Sequence, residues 1–248
     1  FFHSISAFCN AGFDLMGFRQ PFSSLTSYSV QVTVNLTIAA LILIGGLGFL
    51  TWDDIKEHKL RLRKYRAQSK MILATTAVLV ILPFFYFWFC EYGEMGGKER
   101  FFASLFQAVT PRTAGFNTTD LTELSDTGKV VMIILMLIGG SPGSTAGGMK
   151  TTTIAVLVLS SAAVFSRREY AHCFGRRISY DVIRQAAAVF LMYIVLFLGG
   201  GMIISKVENI PLLTCLFETA SAIGTVGLSL GITPALGAVS KTILMILM

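Results

Sequence analysis

Long stretches without a charged residue dominate this chain. They cover residues 22–52, 71–90, 130–149, 151–166 and 185–205. About 20 apolar residues are enough for a helix to cross the hydrocarbon core of a bilayer. Inside lipid every backbone N–H and C=O group must find a partner within the protein, so only helices and closed barrels span membranes. The stretches therefore predict a helical protein that crosses a membrane several times.

The overall composition and the placement of charge support the same class. Hydrophobic residues make up 54% of the chain and charged residues 14%, whereas soluble domains carry about 25% charged residues. The basic residues gather in two clusters: Lys56, Lys59, Arg61, Arg63, Lys64, Arg66 and Lys70; and Arg167, Arg168, Arg176, Arg177 and Arg184. Both lie between uncharged stretches, which is typical of cytoplasmic loops and favours these over a nucleic-acid surface.

Three short segments with a central glycine recur along the chain. Gly12, Gly115 and Gly227 lie 103 and 112 residues apart, which indicates a long internal repeat. A small or polar residue lies two places before each glycine and a large apolar one follows it: Asn10, Thr113 and Thr225; Phe13, Phe116 and Leu228. The third segment contains Thr-Val-Gly, the start of the potassium-channel filter TVGYG, whose carbonyl oxygens replace the hydration shell of the ion.

These segments, called the three glycine loops below, predict a cation filter lined by backbone carbonyls, with K⁺ or Na⁺ there as the only bound metal. The predicted filter residues are Cys9, Asn10, Ala11, Gly12, Arg112, Thr113, Ala114, Gly115, Gly224, Thr225, Val226 and Gly227. Residues 1–7 are interpreted as the end of a short helix that leads into the first loop. The short segments 101–109 and 209–222 precede the second and third loops, and a length such as that of 101–109 is typical of re-entrant helices. We interpret these two segments as pore helices, whose partly negative C-terminal ends would favour a cation.

The apolar segment 130–165 contains its own interruption. As one helix it would be about 54 Å long, well beyond the bilayer core, but its glycine- and proline-rich centre cannot continue a helix. Non-helical backbone at this depth is tolerated where protein or a water-filled cavity surrounds it. We predict a gate formed by Gly139, Gly140, Ser141, Pro142, Gly143, Ser144, Thr145, Ala146, Gly147, Gly148 and Lys150.

Lys150 interrupts an otherwise uncharged region, and two interpretations are open. A cation inside a membrane is costly unless it faces water or a partner, so Lys150 could raise the barrier for cations just below the filter. Alternatively, the long side chain could reach the inner interface.

Two other classes of function are considered. An intramembrane serine protease would need Ser141 or Ser144 beside one of the three histidines, His3, His58 and His172. The predicted topology keeps these histidines near the membrane faces, so we predict no enzyme and no cofactor. A carrier with broken helices would bind a solute at midplane, where Lys150 and Glu218 are the charged candidates. For Glu218, which lies in a predicted pore helix, hydrogen bonding near the filter backbone is the favoured interpretation.

Four segments together resemble a known family: HSISAFCNAGFDL (3–15), TPRTAGFN (110–117), GGSPGSTAGGMKTTT (139–153) and SAIGTVGLSLGITP (221–234). They resemble the Trk/Ktr/HKT cation-transporter superfamily, especially the bacterial KtrB-type membrane subunit. The resemblance implies an all-α integral membrane protein in which span–pore helix–filter loop–span units surround one pore pseudo-symmetrically, as in potassium channels. It also implies transport of potassium, with or without sodium coupling, across the bacterial plasma membrane.

The resemblance further implies how the chain divides and what it assembles with. Residues 1–60 would be the filter loop and second span of repeat two, 61–166 repeat three with its broken span, and 167–248 a truncated repeat four. The chain would then be a fragment without the first repeat and the C-terminal end. Family members form homodimers and bind a cytosolic nucleotide-binding RCK-type ring. The glycines of the filter are of the potassium-permitting kind, and Ala146 stands where many relatives have glycine.

Overall fold

The computed structural model describes residues 1–18, 23–59 and 61–248, and helices dominate these ranges. The predicted start of the first uncharged stretch at Phe22 and the repeat boundary at Leu60 lie outside the described residues. In chain order the elements are α1 (Phe2–Phe8), α2 (Val32–Gly46), α3 (Phe49–His58), α4 (Ala67–Tyr86), α5 (Gly97–Val109), α6 (Asp126–Leu137), α7 (Thr151–Phe165), β1 (His172–Cys173), β2 (Arg176–Arg177), α8 (Tyr180–Glu208), α9 (Leu212–Ile223) and α10 (Ala238–Leu247).

Two helices are long and apolar enough to cross a membrane, and a bent pair adds a third candidate in the described part of the chain. Helix α4 continues through the π-helical turn Phe87–Glu91 to a length of 25 residues, and α8 has 29 residues. Both present large apolar side chains outward, among them Leu82 and Leu191. The prediction of an all-α membrane fold is confirmed.

The first uncharged stretch turns sharply where its glycines cluster. Helices α2 and α3 meet at 97°, and Gly48 between them has φ +85°, a conformation that side chains disfavour. Trp52 of α3 donates a hydrogen bond from Nε1 to the carbonyl oxygen of Ile44, 2.9 Å away. Glycine-rich backbone permits such a bend, which here is close to a right angle.

Helices α5 and α9 correspond to the two predicted pore helices, and α1 corresponds to the predicted short helix before the first glycine loop. Helix α5 begins at Gly97, four residues before the predicted start at Phe101, so its first turn contains charged residues. Arg100 explains why: its guanidinium lies over the Trp88 ring and its Nε donates to the Trp88 carbonyl oxygen at 2.7 Å. A charged side chain with such partners can belong to a partly buried helix.

Helix α9 lies inside the bundle although it is too short to span. It packs against α6, α8 and α10, while α5 packs against α2 and α4, and α1 against α2. The side chains of Met132, Met136 and Phe217 between α6 and α9 are fully buried. Protein therefore surrounds α9 and supports the backbone that follows it.

The basic loops contain two further contacts. The buried carboxylate of Asp54 accepts hydrogen bonds from Ser69 Oγ at 2.5 Å and from the Arg66 amide at 3.0 Å, which ties α3 to the start of α4. A short hairpin joins β1 and β2, and its turn residues Phe174 and Gly175 both have positive φ, as a two-residue type I′ turn requires. This hairpin is a small exception to the all-α prediction.

Candidate functional site

The three glycine loops follow the C-terminal ends of the three short helices and have the same backbone conformation. In each loop the central glycine and the residue two places before it have positive φ. These residues are Asn10 (50°) and Gly12 (73°), Thr113 (62°) and Gly115 (77°), and Thr225 (52°) and Gly227 (88°). Residues other than glycine rarely adopt this region, so its occurrence at three equivalent positions indicates a repeated local structure.

The structure brings the three loops into contact, in the order first, second, third. A β-carbon added to Gly12 would lie 2.6 Å from the carbonyl oxygen of Ala114 and 3.2 Å from the α-carbon of Gly115. A β-carbon on Gly115 would in turn collide with the carbonyl oxygen of Val226. Glycine is therefore needed at positions 12 and 115 for two reasons: the positive φ, and the close approach of the neighbouring loop.

One cavity of about 560 Å³ opens over these loops and has all three glycines in its lining. The residue two places after each glycine also lines it: Asp14, Asn117 and Ser229. Asp120 adds a carboxylate, which accepts hydrogen bonds from the Thr122 amide at 2.9 Å and the Thr122 hydroxyl at 2.7 Å. These bonds hold the pKa of the Asp120 carboxyl below its ordinary value.

The other predicted filter residues differ in their surroundings. Cys9, Ala11 and Thr225 are exposed, whereas Asn10, Thr113, Ala114, Gly224 and Val226 are buried. The buried side chains pack behind the loops, and Val226 belongs to the core between α6 and α9. Where the three loops meet one another, the closest atoms of the second and third loops are the carbonyl oxygens of Ala114 and Val226.

The side chain of Arg112, a predicted filter residue, is buried away from the cavity. It is 3% exposed and is directed to α4, where Nη2 lies 3.4 Å from the Thr76 hydroxyl. Its Nη1 has no hydrogen-bond partner among the described residues. Of the predicted filter residues, Gly12, Gly115 and Gly227 line the cavity. Because the Arg112 side chain is directed to α4, only its backbone could contribute to a filter.

The 139–150 loop separates α6 from α7, as predicted, and folds back on itself. The amide of Gly139 donates to the Met149 carbonyl oxygen at 2.8 Å and the amide of Gly140 to that of Gly147 at 3.3 Å. Lys150 is half-buried, and its Nζ donates to the carbonyl oxygen of Ala146 at 2.8 Å. The charge of Lys150 therefore stays within the loop.

This loop lies directly against two of the glycine loops. Thr145 Oγ1 donates to the carbonyl oxygen of Phe8, the last residue of α1, at 3.0 Å. A β-carbon on Gly147 would collide with the hydroxyl of Thr225, and one on Gly148 would lie 3.3 Å from the Gly224 carbonyl oxygen. The loop thus borders the first and third glycine loops.

The loop also bonds to the bend between α2 and α3, a contact that sequence reasoning missed. The amides of Ser141 and Thr145 donate to the carbonyl oxygens of Gly46 (3.0 Å) and Gly45 (3.3 Å), and the amide of Phe49 donates to that of Gly143 (3.0 Å). The two interrupted helices satisfy each other's free backbone groups, as the lipid environment requires. The only available signal was the glycine run at residues 45–48.

The serine-protease alternative finds no support within the described ranges. Ser144 Oγ donates to the Ser141 carbonyl oxygen at 2.7 Å, and Ser141 Oγ lies 3.3 Å from the Thr151 hydroxyl. Neither serine hydrogen-bonds a histidine in the part of the chain that the structure describes. The same residues contain no group of three or more His, Cys, Asp or Glu side chains able to hold a metal ion.

Comparison with known proteins identifies the relatives of this chain. Residues 1–248 match the family described as "TrkH: Cation transport protein". The chain is 38% identical over its whole length to the "Potassium/sodium uptake protein NtpJ" of Enterococcus hirae and covers 55% of that protein. It is 36% identical over its whole length to the "Ktr system potassium uptake protein B" of Bacillus subtilis and covers 56% of that protein.

A solved structure has the same fold. The potassium transporter TrkH from Vibrio parahaemolyticus superimposes with a TM-score of 0.79 at 22% identity, over 99% of this chain and 54% of that one. The chain thus spans about half the length of these relatives. Its apolar helices and its match over all residues agree with a multi-pass protein of the bacterial plasma membrane. The chain belongs to the TrkH family of cation transport proteins.

Proposed function

We propose that the full-length protein containing this chain moves monovalent cations, K⁺ above all, across the plasma membrane through a filter of backbone carbonyls. One observation carries the proposal: three loops more than 100 residues apart share one unusual backbone conformation and meet at one cavity. The names of the two relatives, which are uptake proteins for potassium or for potassium and sodium, support the choice of cargo.

The backbone conformation explains how the loops would bind an ion. In a regular strand successive carbonyl groups point to opposite sides, whereas a left-handed conformation at every second residue lets them turn to the same side. Such a row of carbonyl dipoles can replace the hydration shell of a cation. The C-terminal ends of α1, α5 and α9 adjoin the loops and add partial negative charge. Cations would be favoured and anions excluded.

The 139–150 loop would act as the gate of this pathway. It contacts the ends of two glycine loops through Thr145 and Gly147 and has Lys150 at its end. A loop in this position would obstruct an ion that leaves the filter. For the loop to open, its hydrogen bonds to Phe8 and to the bend between α2 and α3 would have to break.

The surrounding assembly follows the family. Each of the units 1–60, 61–166 and 167–248 would contribute one glycine loop to a pore that the rest of the full-length protein completes. The loops at 53–70 and 166–184 present exposed basic residues, including Arg63 and Arg177, and would face a cytosolic RCK-type nucleotide-binding ring. We propose a homodimer in the membrane and transport of potassium with or without sodium coupling.

A carrier that binds a solute at midplane is disfavoured by the contacts of its two charged candidates. The Lys150 ammonium already donates to Ala146, and both carboxylate oxygens of Glu218 already accept hydrogen bonds from the chain that follows the third glycine loop. Neither charge is directed at an open binding site in the described residues.

The test is substitution of the filter glycines in the full-length protein. Gly115→Ser and Gly227→Ser would each introduce a side chain at positive φ, with a strain of about 1–3 kcal/mol. At Gly115 the new β-carbon would also displace the Val226 carbonyl. We expect K⁺ uptake to be lost, or the K⁺/Na⁺ ratio to fall about tenfold or more, corresponding to about 1.4 kcal/mol, in cells that lack other potassium uptake.

Gly175→Ala is the matched control. Gly175 also has positive φ (+80°), but it lies in the hairpin between β1 and β2 and a β-carbon there would meet nothing within 4 Å. This variant introduces similar backbone strain outside the glycine loops and the 139–150 loop, so the K⁺/Na⁺ ratio should be unchanged. Normal uptake and selectivity in both serine variants, with the proteins present in the membrane, would rule out the proposed filter.

A further inference from the structure

The three glycine loops can be aligned by one shared backbone hydrogen bond. The amide of the residue before each glycine donates to a carbonyl oxygen near the end of the preceding pore helix: Ala11 to Ser6 (2.9 Å), Ala114 to Thr110 (3.1 Å) and Val226 to Ser221 (2.8 Å). The acceptors are all hydroxyl residues: Ser6 and Ser221 each lie two residues before the end of their helix, and Thr110 lies one residue after the end of α5. The second loop is one residue shorter than the other two between this acceptor and its glycine.

A polar residue lies three places before each of these hydroxyl residues: His3, Gln107 and Glu218. Each of the three accepts a hydrogen bond from the chain just past its own glycine. His3 Nε2 accepts from the Leu15 amide at 3.3 Å, and Glu218 Oε1 from the Leu230 amide at 2.9 Å. Gln107 Oε1 accepts from the hydroxyl of Thr119 at 3.4 Å. His3 and Glu218 each lie five residues before the end of their helix, so the first and third loops are supported from the same position, whereas Gln107 lies two residues before the end of α5.

The support is strongest in the third loop. Glu218 is 4% exposed and accepts two further hydrogen bonds, from the Ser229 hydroxyl at 2.8 Å and from the Thr233 hydroxyl at 2.7 Å. All three partners can donate to the carboxylate oxygens of Glu218. At the second loop, the amide nitrogen of Gln107 donates a hydrogen bond to the sulfur of Met132 at 3.0 Å. Sulfur is a weak acceptor, so this bond adds little support.

We propose that Glu218 is a positioning residue that contributes to ion selectivity. This proposal rests on the proposed filter function. The carboxylate of Glu218 holds residues 229–233 against α9, and this segment continues directly from Val226 and Gly227, whose carbonyl groups would face the ion. Three bonds to one buried acceptor keep the third loop from closing around a smaller ion. A negative charge behind the loop also favours a cation in it. The carboxylate does not touch the ion.

The proposal is tested with Glu218→Gln and Thr233→Val in the full-length protein. A glutamine has one acceptor oxygen fewer and directs an NH₂ group at donors, so its bonds to residues 229–233 are lost in part. We expect the KM for K⁺ to rise about tenfold and Na⁺ to compete better with K⁺. The maximal rate of uptake should be unchanged. Thr233→Val removes one bond and leaves the carboxylate in place, so a smaller shift in the same direction is expected.

The double variant separates positioning from a general loss of structure. If Thr233 acts through Glu218, then Glu218→Gln combined with Thr233→Val is no worse than Glu218→Gln alone. Thr233 is outside the lining of the cavity, so its loss should not remove an ion contact. Glu94→Gln removes an exposed carboxylate from the segment between α4 and α5 and serves as the charge control.

Three results would overturn the role of Glu218: an unchanged KM and Na⁺ competition in Glu218→Gln, additive effects in the double variant, or a lower maximal rate at unchanged KM. Should Glu218→Gln fail to reach the membrane, an unchanged KM in Thr233→Val would reject the proposal by itself. Gly227→Ser distinguishes a failure of the proposed filter from a failure of the positioning role of Glu218. If it abolishes uptake while the Glu218 variants behave like the parent, the filter stands and only the positioning role fails.

Discussion

The hydroxyl of Thr145 donates a hydrogen bond to the carbonyl oxygen of Phe8, 3.0 Å away and 137 residues earlier in the chain. This bond joins the 139–150 loop to the end of α1, the helix that leads into the first glycine loop. The same loop residue donates its amide to the Gly45 carbonyl oxygen at 3.3 Å. Thr145 therefore connects the proposed gate both to the proposed filter and to the bend between α2 and α3.

Replacing Thr145 by valine should increase cation flux. The substitution keeps the shape of the side chain but removes the donor to Phe8, and such a bond contributes about 1 kcal/mol, which corresponds to about a fivefold change in the population of an open loop. The measurement is the initial rate of Rb⁺ uptake into proteoliposomes that contain the full-length protein. Thr242→Val is the control, because its hydroxyl bonds to Ala238 within α10. An equal effect in both variants would disprove the specific role of Thr145.

Deleting residues 140–147 should raise flux further, because it removes the obstruction together with its bonds to the bend. We expect an increase of about tenfold or more, equivalent to lowering the barrier by about 1.4 kcal/mol. Uptake in cells without other potassium transport, normalised to the protein in the membrane, measures it. Unchanged flux would remove the gate assignment and leave the pore assignment intact.

Asp54→Ala should destabilise the protein, whereas Asp53→Ala should not. Asp54 is 1% exposed and accepts from Ser69 and Arg66, so its loss leaves buried donors unpaired at a cost of about 1–3 kcal/mol. The side chain of Asp53 is 58% exposed and pairs with Arg66 at 3.4 Å, and such surface pairs contribute about 0–1 kcal/mol. Thermal unfolding of the purified full-length protein in detergent compares the two. Equal melting temperatures would contradict the buried clamp between α3 and α4.

Asp120→Asn should weaken the apparent affinity for K⁺ about twofold at low ionic strength, an effect that salt screens. The carboxylate lines the cavity above the glycine loops, and the bonds from Thr122 keep its pKa below the ordinary value of 3.8. At pH values above the ordinary pKa of Asp120, these bonds stabilise the turn in full. The stabilisation is lost as the pH falls through the lowered pKa of the folded protein. Between about pH 5 and 7 Asp120 stays ionised, so its contribution to uptake should not change. A difference between variant and parent that disappears on acidification to pH 5 would contradict this.

Much of the fold could be predicted because it depends on local chemistry. The lengths of the uncharged stretches, the glycines that need positive φ, and the glycine and proline residues that interrupt segment 130–165 all act through the backbone near them. The start of α5 at Gly97 could not be found this way, because Arg100 belongs to that helix only through its contact with Trp88.

By itself, the sequence determined the class of protein, the three glycine loops and the interrupted span, since lipid solvation and backbone conformation constrain each segment separately. Only the tertiary structure decided which loops are neighbours, that the 139–150 loop bonds to the bend at Gly45 and Gly46, that Arg112 turns its side chain toward α4, and that Glu218 accepts from residues 229–233. Most of these contacts join helices or loops that are far apart in the chain. Their geometry depends on how whole helices pack, and no local pattern of residues records it.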